Sequence, residues 1–254
     1  MRSFGVTDVG KLRKVNQDSF IINQADDDCL LAVVCDGMGG EAGGLEASSA
    51  ASETFASYVK TELEKSDQKG AIDRRRAEKL LRGAVDAANK AVYETASENK
   101  ALTGMGTTLV AALVAGGNVY AVNVGDSRLY LISGNEVTQV THDHSYVQFL
   151  VDIGKLSADE ARISSNRNII TRAVGTSSDI ECDFFTLDVR DQKETCLLLC
   201  TDGLSNMLSP DDISDAVSGD FADEAAVESA CRSLVDKANE NGGPDNITAL
   251  LISL

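Results

Sequence analysis

Residues 106–141 read GTTLVAALVAGGNVYAVNVGDSRLYLISGNEVTQVT, and the periodicity of this stretch decides the fold class. The repeat is two, as in half-buried strands, over Thr107 to Ala115, Asn118 to Val124, Arg128 to Ser133 and Glu136 to Thr141. Gly116-Gly117, Asp126-Ser127 and Gly134-Asn135 separate these runs and are turn formers. The spacing predicts an antiparallel meander.

Working outward toward the N-terminus, the period changes to that of helices. Leu45 to Lys65 and Arg75 to Asn99 are rich in Ala, Glu and Lys, and Leu80, Ala84, Ala87 and Ala91 recur three and four apart. Before them, Phe4 to Val9, Ser19 to Asn23 and Leu30 to Cys35 read as short strands, punctuated by Gly10 and by Asp26-Asp27-Asp28, a solvated turn. Toward the C-terminus, Ser145 to Asn168 is polar, broken by Gly154 and weakly helical, so it is expected to be a mobile surface excursion before Ile169-Ile170. An apolar strand at Cys196 to Cys200 follows, then helices near Pro210 to Val217 and Ala222 to Asn239, then a strand from Ile247 to Leu254. The order strands, helices, strands, helices, strand favours antiparallel sheets with segregated helix layers over a βαβ repeat.

The 254 residues suffice for one large domain, and only two prolines leave little room for a disordered linker. A net charge of -17, from 23 basic against 40 acidic residues, excludes a nucleic-acid or anionic-membrane surface. Any phosphate handled here needs borrowed positive charge. Met1-Arg2-Ser3-Phe4-Gly5 has no apolar leader character and no stretch of about 18 apolar residues occurs, so a cytoplasmic protein is expected. Cys29, Cys35, Cys182, Cys196, Cys200 and Cys231 form no C-x-x-C pair and are expected as buried thiols.

Three apolar strands end in an aspartate: Val33-Val34-Cys35-Asp36-Gly37, Asn123-Val124-Gly125-Asp126-Ser127 and Leu199-Cys200-Thr201-Asp202-Gly203. Singly, each is a turn signal, because Asp bonds its own backbone and Gly tolerates positive φ. Asp18, opening a strand after Asn16-Gln17, and Asp245, in Pro244-Asp245-Asn246, add two more acids at strand ends. Five carboxylates in one cleft would repel strongly unless cations sat among them. All-oxygen ligands select the hard ions Mg2+ or Mn2+, and two such ions about 3.5–4 Å apart activate a water in line with phosphorus. The glycine-rich run Gly37 to Gly44 matches neither a P-loop nor a dinucleotide fingerprint, so its glycines are expected to let backbone approach metal and phosphate.

Arg13-Lys14-Val15-Asn16-Gln17-Asp18-Ser19, Asp36-Gly37-Met38-Gly39-Gly40, Gly104-Met105-Gly106-Thr107-Thr108, Val124-Gly125-Asp126-Ser127-Arg128, Asp143-His144-Ser145, Thr201-Asp202-Gly203 and Pro244-Asp245-Asn246 together resemble, in order and over essentially the whole chain, the bacterial branch of the PP2C (PPM) phosphatases. The resemblance implies an α+β fold, a four-layer α-β-β-α sandwich of two antiparallel sheets, formed by a single domain over 1–254 with a flap near 145–168. It implies hydrolysis of phosphoserine and phosphothreonine in proteins with Mn2+ or Mg2+, two ions held tightly and a third more weakly. By similarity Asp36 bridges the two ions, the Gly37 carbonyl binds the first, and Asp202 and Asp245 the second. Asp126 shares the third with Asp202, Asp18 orders waters in the outer shell, and Arg13 meets the substrate phosphate, a role suited to a planar bidentate donor.

Two departures concern the general acid. Eukaryotic members carry a histidine where this chain has Met38, and some bacterial ones near the position of Glu41, so protonation of the leaving alkoxide is unassigned. His142 and His144 could share a strand face and ligate a metal, but in the family their segment leads into the flap, and a structural or flap-positioning role is expected. The partners implied are phosphorylated proteins, among them a Hanks-type serine/threonine kinase and its substrates; the chain is expected to act as a monomer. A phosphatase of small phosphate esters would share the site, and a catalytically silent phosphoprotein-binding module would have lost some of its acids, which here are intact.

Overall fold

A computed structural model describes residues 1–26, 28–65, 72–190, 195–219, 221 and 223–254. The strands are β1 (Arg2–Asp8), β2 (Asp18–Asp26), β3 (Cys29–Met38), β4 (Gly106–Thr107), β5 (Leu109–Ala115), β6 (Asn118–Val124), β7 (Arg128–Ser133), β8 (Glu136–Gln139), β9 (Asp183–Asp188), β10 (Thr195–Cys200) and β11 (Ile247–Ser253). The helices are α1 (Gly40–Glu64), α2 (Arg74–Glu98), α3 (Tyr146–Asp152), α4 (Ala158–Ile163), α5 (Asp202–Ser205), α6 (Pro210–Val217) and α7 (Glu224–Glu240). One sheet runs β1-β11-β10-β7-β8; the other runs β2-β3-β5-β6-β9, with β4 pairing on β3. Every pairing is antiparallel.

Side-chain alternation turns these two sheets into four layers. On β3, Leu30, Ala32 and Val34 join the core between the sheets, while Leu31, Val33 and Cys35 join the core under α1 and α2. On β10, Leu197 and Leu199 face the other sheet while Cys196, Leu198 and Cys200 face α6 and α7. Strands apolar on both faces are what a sheet covered twice requires. The α-β-β-α sandwich implied by the family resemblance is therefore present. Cys35, Cys182, Cys196, Cys200 and Cys231 are buried thiols within it, and no helix among the described residues is long and apolar enough to cross a membrane.

Register puts the strand-end acids at one end. Val34 and Asn123 both pair with Val110, so β3 and β6 run the same way and finish at the same edge. Asp18 pairs directly with Asp36. In the other sheet Cys200 pairs with Ala249 on one side and Arg128 on the other, so the end of β10 and the starts of β11 and β7 share one edge.

Several expectations need correction. The four strands of 106–141 are not one meander: β5 and β6 lie in one sheet, β7 and β8 in the other. The Gly125-Asp126-Ser127 turn steps across the sandwich, with Gly125 at φ 104°, and turn chemistry alone cannot say which sheet the next strand joins. Strand β8 stops at Gln139 rather than Thr141. The buried stripe of α2 runs through Ala77, Leu81, Ala84, Ala88 and Val92, leaving Ala87 and Ala91 half-buried. Strand β9 and the single turn α5 were not anticipated, since β9 is a short, partly exposed edge strand and α5 begins immediately after β10. The excursion after Ser145 contains two short helices, α3 and α4, each capped by a serine. Asp27 and Ala222 lie outside the described residues.

Candidate metal centre

Four of the five acids line one cleft of about 350 Å³: Asp36, Asp126, Asp202 and Asp245, together with Arg13, Gly37, Met38, Thr108, Asn168, Ile170 and Asn246. Asp18 lies buried behind them, paired to Asp36 across β2 and β3. Each acid is presented by a distinct local device. Asp36 sits on a β3 end whose backbone is clamped: its N–H donates to Thr108 Oγ1 (2.9 Å), and its carbonyl accepts from Thr107 Oγ1 (2.8 Å) and the Thr108 N–H (2.9 Å). Gly37 must be glycine, since a Cβ there would meet the Gly44 carbonyl oxygen at 2.0 Å and that of Gln17 at 2.6 Å. At Gly125 the positive φ combines with a Cβ position 2.6 Å from Thr108 Cγ2. Thr108 Oγ1 also bonds Ser127 Oγ at 2.7 Å, so one hydroxyl pair joins the Asp36 and Asp126 turns.

Asp18 shows the electrostatic problem most clearly. Its Oδ2 accepts from Thr201 Oγ1 (2.9 Å) and Thr248 Oγ1 (2.7 Å), while its buried Oδ1 has no hydrogen-bond partner. Burial, against those two hydrogen bonds and helped by the charges of Asp202 and Asp245, pushes its carboxyl up to about 7. Asp36 is raised well above the usual range by loss of hydration and then by the charges of Asp18, Asp202, Asp126 and Asp245. Asp126 is raised by burial and then by Asp202 and Asp143, and Asp202 by burial and Asp245. The same acids turn toward local partners: Asp202 Oδ2 accepts from Asn206 Nδ2 at 3.0 Å, and Asp245 Oδ2 accepts from Arg13 Nη2 at 2.8 Å.

Among the described residues no three His, Cys, Asp or Glu side chains are already gathered as a ligand set. The chemistry of the donor set nevertheless fits hard divalent cations: oxygens only, mutually repelling, with an unpartnered carboxylate oxygen beneath. Among the described residues Arg13 is the one cation lining the cleft, and its pairing with Asp245, together with the charges of Asp36 and Asp202, raises its pKa.

The seven expected site residues thus fall together, six lining the cleft and Asp18 behind it. His142 and His144 do not: neither lies in a strand, and neither lines the cleft. His142 Nε2 meets Asp152 Oδ2 of α3 at 2.9 Å in solvent, whereas His144 is buried against the Gly125 turn. No imidazole lines the cleft among the described residues, where Met38 does. Sequence reasoning missed the second tier, namely Thr201 and Thr248 on Asp18, Ser127 on Thr108, Asn206 on Asp202, and Asn246, which accepts from the Gln17 N–H and donates to the Val9 and Val15 carbonyls. The local signals that could have found them are the polar Thr248 inside an apolar strand and the position of Thr201, Ser127 and Asn246 beside strand-end aspartates.

Comparison with known proteins agrees with this geometry. The model of the family "Protein phosphatase 2C" matches residues 13–251. A serine/threonine phosphatase stp from Listeria welshimeri is 35% identical over 246 residues, covering 97% of this chain and 93% of the relative. Protein phosphatase PhpP from Streptococcus pneumoniae is 34% identical over 253 residues, covering 98% and 96%. The crystal structure of serine/threonine phosphatase Stp1 from Staphylococcus aureus superposes with a TM-score of 0.87 at 33% identity, covering 100% of this chain and 95% of that one. Metal dependence is a property of the family, in keeping with an all-carboxylate cleft. The chain belongs to the protein phosphatase 2C family and is a protein phosphatase.

Proposed function

We propose that the chain hydrolyses phosphoserine and phosphothreonine esters in proteins at this cleft, using Mn2+ or Mg2+. The observation that carries this reading is the convergence of Asp36, Asp126, Asp202 and Asp245 on one cleft with Arg13 at its rim and the unpartnered Asp18 oxygen behind it. Bound divalent cations supply a nucleophilic water at neutral pH and offset charge on the phosphoryl oxygens.

The chain's own residues do the rest. Two ions would be held by Asp36, which has acids on every side, with the Gly37 carbonyl serving one of them and Asp202 and Asp245 the other. Asp126 and Asp202 would hold a third, weaker ion, and Asp18 would accept from waters of the outer shell through its unpartnered Oδ1. The half-exposed Arg13 guanidinium, which donates to Asp245 at 2.8 Å, would take the substrate phosphate bidentately. The leaving alkoxide receives its proton from a group other than an imidazole at position 38.

The segment near 145–168 is a flap on a single domain spanning 1–254, and its Asn168 lines the cleft. The chain acts as a monomer in the cytoplasm, the compartment where buried thiols stay reduced. Its substrates are the products of a Hanks-type kinase. The test uses EDTA-stripped protein with an aryl phosphate, a phosphothreonine peptide and a panel of small esters. Activity should vanish on stripping, return with Mn2+ and favour the peptide. Full activity without metal overturns the mechanism, and preference for a small ester reassigns the substrate.

A further inference from the structure

His144 is a buried histidine that the proposed chemistry does not use. The Gly125 N–H donates to His144 Nδ1 at 3.1 Å, while the His144 N–H donates to the Gly125 carbonyl at 2.9 Å. One residue therefore grips both polar atoms of the glycine that precedes Asp126. Asn123 Nδ2 adds a second donor to that carbonyl at 3.1 Å.

A backbone N–H can only donate, so Nδ1 must present a lone pair and the neutral ring carries its proton on Nε2. That proton faces Asp183 Oδ2 at 3.3 Å, and Arg172 Nη1, 3.0 Å from Nε2, donates to Asp183 Oδ1 at 3.2 Å. Burial, then the Arg172 charge, lowers the His144 pKa and keeps the ring neutral.

The other side of His144 is the base of the 145–170 excursion. The Thr171 N–H donates to the His144 carbonyl at 2.8 Å, Ser145 bridges Ile170, and the Tyr146 N–H donates to the Ile169 carbonyl at 2.8 Å. These rungs close the two ends of the excursion on each other, and His144 is the rung that continues into the Gly125 turn. Next to it, Asp143 takes Arg128 through Nε and Nη2 at 3.0 and 2.6 Å, fixing the residue two past Asp126.

We infer that His144 is a positioning residue, whose Nδ1 lone pair couples the base of the flap to the turn that presents Asp126 and thereby sets the affinity of the weak third ion. The inference rests on the proposed role of Asp126, and the test separates the two. Calorimetric titration of the full chain with Mn2+ alone is run on wild type, Asp126→Asn, His144→Asn and His144→Gln. Asn places an oxygen where Nδ1 stands; Gln places its polar atoms near Nε2 and leaves the Gly125 N–H unpartnered. Asp126→Asn should remove the weak step of the titration. His144→Asn should keep the weak-ion affinity within about threefold of wild type and His144→Gln should lower it about tenfold or more, as a buried unpartnered donor would, with the tight steps unchanged in both.

If Asp126→Asn leaves the whole titration as in wild type, the third-ion reading fails. If it removes the weak step while His144→Gln preserves it, or if Gln preserves it and Asn does not, the His144 inference alone is overturned. Should His144→Gln fail to fold by circular dichroism, wild type itself decides. With nitrogen-labelled histidine, His144 should show the Nε2–H tautomer. During a Mg2+ titration its Nδ1, the Gly125 amide and the amides of 146–170 should shift with one weak-site midpoint. Gly125 shifting while the 146–170 amides stay silent overturns the coupling.

Discussion

Asp36 and Asp126 carry the same sequence signature, an aspartate finishing an apolar strand, and they finish at the same edge of the same sheet. Their surroundings differ. The charge of Asp36 is opposed by Asp18, Asp202, Asp126 and Asp245, and its backbone is clamped by Thr107 and Thr108. Asp126 faces Asp202 and Asp143, with Arg128 drawing its pKa down. Arg128 is itself held by Asp143, Gln139 joins the same carboxylate at 2.8 Å, and Tyr130 accepts from Arg128 at 2.9 Å. A carboxylate crowded by four others gains most from shared cations. One beside a compensated ion pair gains less. The difference teaches that the signature marks an edge, while the occupants of the opposite edge decide how tightly a cation is held there.

The largest effect should come from breaking the crowded side. Asp36→Ala or Asp245→Ala should cut phosphatase turnover by about a thousandfold or more, because losing a ligand removes the activated water itself. Steady-state rates on a phosphothreonine peptide at saturating Mn2+ check this, and a loss below about tenfold would place the chemistry elsewhere.

Arg13→Ala comes next. The guanidinium lies half-exposed at the rim, so its removal should raise KM for phosphopeptides by about tenfold or more, as for a lost charged hydrogen bond, with a smaller fall in kcat. Mn2+ affinity at Asp245 should hold or rise, since a competing cation has gone. Calorimetry showing collapsed Mn2+ binding would contradict the assigned role.

Asp126→Asn sharpens the comparison directly. Asn keeps the turn's hydrogen bonding but offers a neutral oxygen. The variant should fold normally, keep the two tighter ions, lose rate at low Mn2+ and recover part of it as Mn2+ rises. Wild-type rates across the whole titration would make Asp126 an ordinary turn residue.

The smallest effect concerns the metal-free protein. Asp18 has a folded-state pKa of about 7, above its ordinary value of about 4, so the native chain holds the proton more tightly. The stability that proton contributes is complete below pH about 4 and is lost as pH rises toward 7. In EDTA, Asp18→Asn should therefore raise Tm by a few degrees at pH 7 and change it little at pH 4. An equal shift at both pH values would mean that packing, not charge, governs the site.

How much was legible follows from which interactions are local. Strand 118–124 was readable because period two and the bounding glycines are carried by neighbouring residues, and Cys196–Cys200 because it is a short continuous apolar run. Five of the acids were readable because each sits at the end of such a strand, and the ordered motifs tied them to one family. The turn at 125–127 was read as a hairpin, because its residues are equally suited to staying in a sheet or leaving it. Only the pairing of β7 with β10, 62 or more residues away in sequence, decides that it leaves.

The sequence alone determined the strand and helix types and the chemistry of the donors, carboxylate oxygens with one arginine, whereas the burial of β5 and β6 on both faces came from the packing. Tertiary structure decided that 106–141 divides between two sheets, that Thr201 and Thr248 from one sheet hold Asp18 of the other, and that Asp126 stands beside the Arg128–Asp143 pair. The physical reason is range. Backbone preference and side-chain alternation act over a few residues, whereas the field on a buried carboxylate is set by whichever distant strand ends the sandwich places within a few ångströms of it.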